Sequence, residues 1–340
     1  MCHAFAISVN ISKAAARSNY KKALLALNFD VDINRIKTKA MNKYYIVFRF
    51  LLASTFALSQ NYVDLLKVSA STTPHNTFDS SATKTKLNEV SADLTVPIKI
   101  NDQLSVLTGV IYEEMQTKLF WDGNIKDFGS TTLKLGFNKQ LNQRWSTTVV
   151  ALPKMASDYK SFNDKDFQLG GIALFKYKKR DNLNYKMGVY YNSELFGPFF
   201  VPMLGIYYQS LNKKFEANIL LPLQADINYQ VWPFMNVGCN FNGQTRSYHL
   251  NNVTDAHPDS YVTKVTNEVF AYVKFNLTKS ISLQTKVGQS VGRSYKVYDQ
   301  HDKVTVGLPA TFIGDSRQKL NSSFSDGMIF QATLFYRLHL

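Results

Sequence analysis

The sequence predicts an all-β fold: a single transmembrane antiparallel β-barrel of about 12–14 strands, with short periplasmic turns and long outer loops. Three observations carry this. Apolar and polar residues alternate with period two in segments of about ten residues, the pattern of membrane-crossing strands. Very short connections alternate with long ones. Aromatic residues gather near segment ends, where barrels place their interfacial girdles.

The first 59 residues read as addressing rather than fold. Met41 and Lys43 precede an apolar run from Tyr44 to Leu58, interrupted by Arg49 and ending at Ala57-Leu58-Ser59. A basic start, an apolar stretch and a small-x-small cleavage site make a secretory signal peptide. The expected organisation is an upstream extension over 1–40 from a mis-assigned start, a signal peptide over 41–59, and one barrel domain over 60–340. Neither cysteine follows the signal directly, so a lipoprotein anchor is not expected.

The first strand is expected from Tyr62 to about Ser71. Val90, Ala92, Leu94, Val96, Ile98 and Ile100 then share one strand face, with Ser91, Asp93, Thr95 and Lys99 on the other. Strand pairs are expected at 87–100 and 103–115, 129–140 and 144–153, 165–178 and 182–192, 200–211 and 214–221, 224–230 and 234–242, and 264–277 and 280–292, before a last strand over 324–340. From Phe215 to Tyr229 the alternation is unbroken, but Pro222 lies inside it. Proline removes a ladder hydrogen bond, so a bend is favoured there over one long strand. In the last segment Phe330, Ala332, Leu334, Tyr336, Leu338 and Leu340 form an apolar face. Such a terminal strand resembles the signal read by the barrel-assembly machinery, although Leu340 stands where Phe is usual.

Short polar turns are read at 101–103, 142–144, 179–182, 212–214 and 278–280, and long connections at 113–130, 154–166, 192–200, 243–264 and 293–323. The girdle candidates are Trp121, Tyr159, Tyr190, Tyr191, Tyr207, Tyr208, Trp232, Tyr295 and Tyr298. A soluble β-sandwich has no reason to segregate loop lengths this regularly.

Composition agrees. The 340 residues include 19 Tyr, 24 Phe and two Cys, with 45% apolar and only 19% charged residues. This excludes a disulfide scaffold, a cysteine-rich metal site and an intrinsically disordered chain. The net charge of +14 invites a nucleic-acid reading, but residues 1–59 hold nine basic and two acidic residues, half of that excess. The rest is scattered among Asn, Tyr and Thr, and no nucleic-acid partner is expected.

Several stretches resemble a family of outer-membrane β-barrels of unknown function from Bacteroidota. They are Leu94-Thr95-Val96-Pro97-Ile98-Lys99, Ser157-Asp158 with Asp166 to Gly171, Tyr190 to Pro198 with Val201-Pro202, and Leu220 to Leu223. The resemblance spans roughly residues 62–340. It implies an outer-membrane location and the barrel fold; it supplies no activity and no site residues.

Chemistry is sparse in the sequence. His249, His257 and His301 fall in expected outer loops near Asp255, Asp259, Asp299 and Asp302, with Ser247 and Ser260 available. A Ser–His–acid triad is defined by geometry, so solvated loops are the simpler reading. Asp299-Gln300-His301-Asp302 offers metal-binding atoms, but too few oxygens for calcium. No catalytic residue, metal or cofactor is assigned. Glu194 is a candidate constriction residue if its connection folds into the lumen and meets a basic residue. Lys134, Lys186, Lys274 and Lys286, with Lys176, alternate on strands and are expected to face lumen water, because lipid-facing charge is costly. Such a lining biases solute selectivity. The function expected is a passive pore for small solutes. The alternatives are a plugged structural or adhesive barrel, and a surface hydrolase acting on lipid or peptide. The partners expected are outer-membrane lipid and lipopolysaccharide.

Overall fold

The computed structural model describes residues 62–254 and 257–339. The upstream extension and the signal peptide lie outside the described residues, as does Leu340. The strands are β1 (Tyr62–Thr77), β2 (Lys84–Lys99), β3 (Leu104–Lys118), β4 (Ile125–Gln140), β5 (Trp145–Ser157), β6 (Phe167–Arg180), β7 (Leu183–Glu194), β8 (Gly197–Gln209), β9 (Phe215–Leu221), β10 (Gln224–Trp232), β11 (Met235–Thr254), β12 (His257–Asn276), β13 (Ile281–Ser290), β14 (Ser294–Asp299), β15 (Val306–Leu308), β16 (Thr311–Ile313) and β17 (Met328–His339). One 3-10 turn, Asp164–Asp166, precedes β6.

Each of β1 to β12 pairs antiparallel with the next, β13 pairs with β17, and β17 pairs with β1. Fourteen strands therefore close the wall with no free edge, and β14 to β16 are short additions. Closure pairs neighbouring strands all the way round, the arrangement a lipid surround requires. The even count brings Tyr62 and His339 together as register partners at the short-turn end.

The period-two alternation sets the two faces. Leu94 pairs with Val110, and Val110 with Leu133. All three lie on the outer face, with Leu94 38% and Leu133 47% exposed. The most exposed such residue in the wall, Leu204, reaches 70%. Apolar side chains exposed in rows around a closed wall suit lipid, not water. Aromatic pairs mark the short-turn rim: Trp145 with Tyr177, Tyr208 with Phe215, and Trp232 with Phe234. Tyr190, Tyr207, Tyr295 and Tyr298 instead face inward, on strand faces opposite to the girdle. Proximity to a strand end does not specify a face, whereas residue parity does.

The bend at Pro222 is present: β9 ends at Leu221, β10 begins at Gln224, and Leu223 N–H donates to Leu220 C=O. This makes the wall low there. β9 has seven residues and β10 nine, whereas β11 and β12 have 20 each.

Above that low point β11 leaves the wall. Its pairing with β10 ends at Gln224↔Asn242, and the Gly243 N–H donates to Leu223 C=O. From there β11 and β12 continue as a hairpin paired to each other as far as Thr254↔His257. His249 meets Ser157 of β5, six strands away around the wall. The hairpin therefore crosses the lumen.

Two apolar clusters pack around it. Tyr248, Leu250 and Val262 join Met115, Phe128, Tyr295 and Phe324 on one side. Tyr261 joins Phe196, Phe199, Val201 and Tyr298 on the other. Three expected long connections are corrected; one, 113–130, is reduced to residues 119–124 between β3 and β4. Residues 243–264 are mostly strand, and 192–200 is a turn of only Leu195 and Phe196 between β7 and β8. A strand pair inside the lumen that carries many polar residues has the composition of a solvated loop, and Gly197 with φ of 126° makes a turn tighter than the Gly-Pro pair implied.

Candidate functional site

Glu194, the last residue of β7, faces the lumen and its side chain is fully buried. Its Oε1 lies 3.1 Å from Lys154 Nζ of β5 and also accepts from Asn192 Nδ2. Its Oε2 accepts from Ser247 of the hairpin twice, from the backbone N–H at 2.7 Å and from Oγ at 2.6 Å. Ser247 Oγ in turn accepts from the Leu195 N–H at 2.7 Å. Gln168 Nε2 donates to the Ser247 carbonyl at 3.0 Å, and Asn192 Nδ2 reaches Gln168 Oε1 at 3.3 Å. Residues 168, 192 and 194 all sit on inward faces because their strands alternate with period two. Glu194 thus meets a basic residue in the lumen, but from the wall and not from an infolded loop.

A second layer lies above. His249 Nδ1 is 2.7 Å from Asp166 Oδ1, and His249 Nε2 is 3.6 Å from Asp259 Oδ1. Asp259 also takes a 2.7 Å bond from Lys165 Nζ. Asp158 accepts from the backbone and side chain of Asn251 at 3.1 and 2.7 Å. The other face of the hairpin is anchored by cations to the opposite wall. Arg246 pairs with Glu113 of β3, and Lys264 Nζ lies 2.6 Å from Glu89 Oε1 of β2. Tyr295 OH donates to the same Glu89 oxygen at 3.0 Å.

The four strand lysines lie on inward faces. Lys134 of β4 pairs with Asp93 and donates to Thr95 Oγ1 at 2.7 Å. Lys186 of β7 donates to Asn218 Oδ1 at 2.7 Å and is the register partner of Lys176. Lys274 and Lys286 line a cavity of about 240 Å3 with Asp226, Glu216 and Asp64. They do not meet Glu194 in one constriction.

Among the described residues the histidines do not assemble a triad. Ser247 gives its hydroxyl proton to Glu194, His249 is buried against Asp166, and the His301 side chain is 89% exposed beside Asp299. Asp255 and the His257 side chain lie outside the described residues. In the Asp299–Asp302 stretch, Asp299 Oδ1 accepts from the His301 N–H at 3.0 Å and Asp302 Oδ2 from the Gln318 N–H at 3.1 Å. Those carboxylates cap loop backbone.

A family model described as a domain of unknown function (DUF6268) matches residues 53–324. The chain belongs to the DUF6268 family. Among curated proteins no relative matches the DUF6268 chain in sequence. Among solved structures, an outer membrane channel from Pseudomonas putida F1 is similar at 9% identity, over 84% of this chain and 98% of that one, with a TM-score of 0.42. A TodX monoaromatic hydrocarbon channel mutant is similar at 10% identity over 81% and 89%, TM-score 0.36. The translocator domain of the autotransporter NalP from Neisseria meningitidis is similar at 8% identity over 88% and 98%, TM-score 0.34.

The DUF6268 network contains residues the sequence reading passed over, Lys154, Arg246, Glu113, Glu89 and Lys264, and Ser247, which it weighed only as a triad serine. Parity points to the wall members, since each is a charge on the inward face of an alternating strand. The hairpin members carry no such signal, because nothing local says that β11 leaves the wall.

Proposed function

We propose that the protein is an outer-membrane channel for small polar solutes, closed at its loop end by the β11–β12 hairpin. One observation carries this: the polar lumen runs as consecutive cavities from the short-turn mouth up to the hairpin. The mouth cavity, about 500 Å3, shares Glu216, Asn228, Lys274 and Arg337 with the next, and that one shares Ser69, Asn242 and Gln331 with a third of about 260 Å3 under the hairpin. Above, the two apolar clusters fill the bore. A solute path therefore exists for most of the length, and displacement of the hairpin completes it.

The outer-membrane location is supported by the apolar outer face, which suits lipid and lipopolysaccharide, and recognition by the assembly machinery by the apolar face of β17. The motifs from Leu94 and Tyr190 onward support a Bacteroidota source. The non-enzymatic reading is supported by Ser247, whose one hydroxyl proton is given to Glu194.

Planar-bilayer recording tests the proposal. The full chain is expected to show small or rare conductance steps. A variant with residues 246–263 replaced by a short Gly-Ser linker is expected to show large, steady ones. Heat-modifiable, folded barrels of both kinds that never conduct would refute it.

A further inference from the structure

Between strands β2 to β8 and the base of the hairpin lies a chamber unlike the rest of the lumen. It has a volume of about 450 Å3, within the range of about 300–1,000 Å3 usual for small-molecule sites. Its walls are apolar: Leu107 and Ile111 of β3, Val150 and Leu152 of β5, Ile172 of β6 and Phe199 of β8. These residues occupy inward strand positions, where a water-filled pore has polar side chains. An apolar stretch facing a lumen has a cost in water that a bound apolar body removes.

The charged residues on this lining are all cationic: Lys134, Lys154 and Arg246. Their carboxylate partners Asp93, Glu194 and Glu113 do not line it. Lys154 is only 5% exposed, and among the described residues its ammonium has one acceptor, Glu194 Oε1 at 3.1 Å. An ammonium has three N–H donors. Donors left over in a buried, apolar chamber are costly unless an acceptor meets them.

We propose that this chamber binds a small amphipathic monoanion, an alkyl or aryl body with one carboxylate, its head set against Lys154 and Lys134 and its body against Leu152 and Ile172. The apolar walls fix the body and the all-cationic lining fixes the sign of the head. The site is independent of conduction, so it stands or falls apart from the channel reading.

The test uses the full mature barrel in amphipol, which removes detergent micelles as a competing sink. Equilibrium dialysis with radiolabelled octanoate is compared with octylamine, a cation of equal chain length at neutral pH. One saturable octanoate site per chain is expected, with octylammonium held at least tenfold more weakly. Leu152→Trp, which fills the chamber, is expected to abolish the site in barrels that still show heat-modifiable migration. Lys134→Gln is expected to weaken octanoate at least fivefold and leave octylammonium unaffected. The proposal is overturned if wild-type protein shows no saturable octanoate binding, if octylammonium binds as tightly, or if folded Leu152→Trp binds octanoate unchanged. The comparison of the two probes on the wild type needs no variant, so a misfolded mutant does not rescue the idea.

Discussion

Glu194 Oε2 accepts both the backbone N–H and the hydroxyl of Ser247, at 2.7 and 2.6 Å. This clamp ties the top of the wall strand β7 to a hairpin that crosses the lumen. The same carboxylate takes Lys154 on its other oxygen. Removing either charge leaves the other buried and uncompensated, which typically costs about 3–5 kcal/mol. Lys154→Ala and Glu194→Ala are each expected to lower the temperature at which the folded gel band is lost. The Lys154→Met/Glu194→Leu pair is expected to lose less than either single change, because no charge is stranded. If each single change leaves the transition where it was, the clamp contributes nothing.

Gly243 marks the point where the hairpin turns inward. A Cβ there would meet the Pro222 carbonyl oxygen at 2.6 Å, and that atom is backbone at a tight turn. Gly243→Val is therefore expected to push the base of the hairpin off the β9–β10 turn, costing about 1–3 kcal/mol. Faster protease cleavage within 246–263, with the barrel band intact, is the readout. Unchanged cleavage would show that the base tolerates bulk.

The outer face makes a prediction of opposite character. Leu135 is 51% exposed, yet its row faces lipid. Leu135→Arg is expected to destabilise the barrel by about 2–4 kcal/mol, as for a basic side chain near a bilayer midplane. In a soluble protein such an exposed change stays within about 0.5 kcal/mol. Reversible unfolding into urea from lipid vesicles measures the difference.

The segment between β16 and β17 has an acid-sensitive anchor. Asp315 accepts from Arg317 Nε and Nη2, both at 2.9 Å, and Arg317 lies over the rings of Tyr298 and Phe312 at 4.2 and 4.8 Å. The Arg317 guanidinium holds the Asp315 carboxyl below the ordinary carboxylate range. A folded value below the unfolded one stabilises fully above about pH 4 and loses that contribution as pH falls through the lower, folded value. Amide exchange over 311–318, corrected for intrinsic rates, is expected to stay flat from about pH 7 to 5 and to accelerate only in stronger acid. Asp315→Asn is expected to exchange fast throughout, without the acid step. An acid step retained in that variant would assign it to another group.

The wall was legible in the sequence almost strand by strand, because its signal is local. Parity puts Val90, Leu94 and Ile98 on one face whatever surrounds them, and Pro222 marks the β9–β10 turn within one strand's length. The lumen was legible only in part. Lys134 and Lys274 follow from the same parity, since a charge opposite an apolar row turns inward. Ser247 and His249 do not. In the wall their odd-numbered face would be the lipid face, and only the loss of pairing above Asn242 brings it inside. That event depends on β9 and β10 being short, a relation between distant segments that no periodicity records. Glu194 stood out by its apolar neighbours, but its partners come from β5 and β11, 40 and 53 residues away.

The crossing hairpin continues two strands of the barrel, and that sets an order of events. It carries Arg246, His249, Asp259 and Lys264, and such charged groups do not rest in hydrocarbon. It can be swallowed only from the loop side, once the barrel stands in the bilayer. On the proposed channel reading, a newly inserted molecule has an open bore until Ser247 reaches Glu194. A substitution that merely slows this capture would leave the finished protein unchanged and lengthen that open interval.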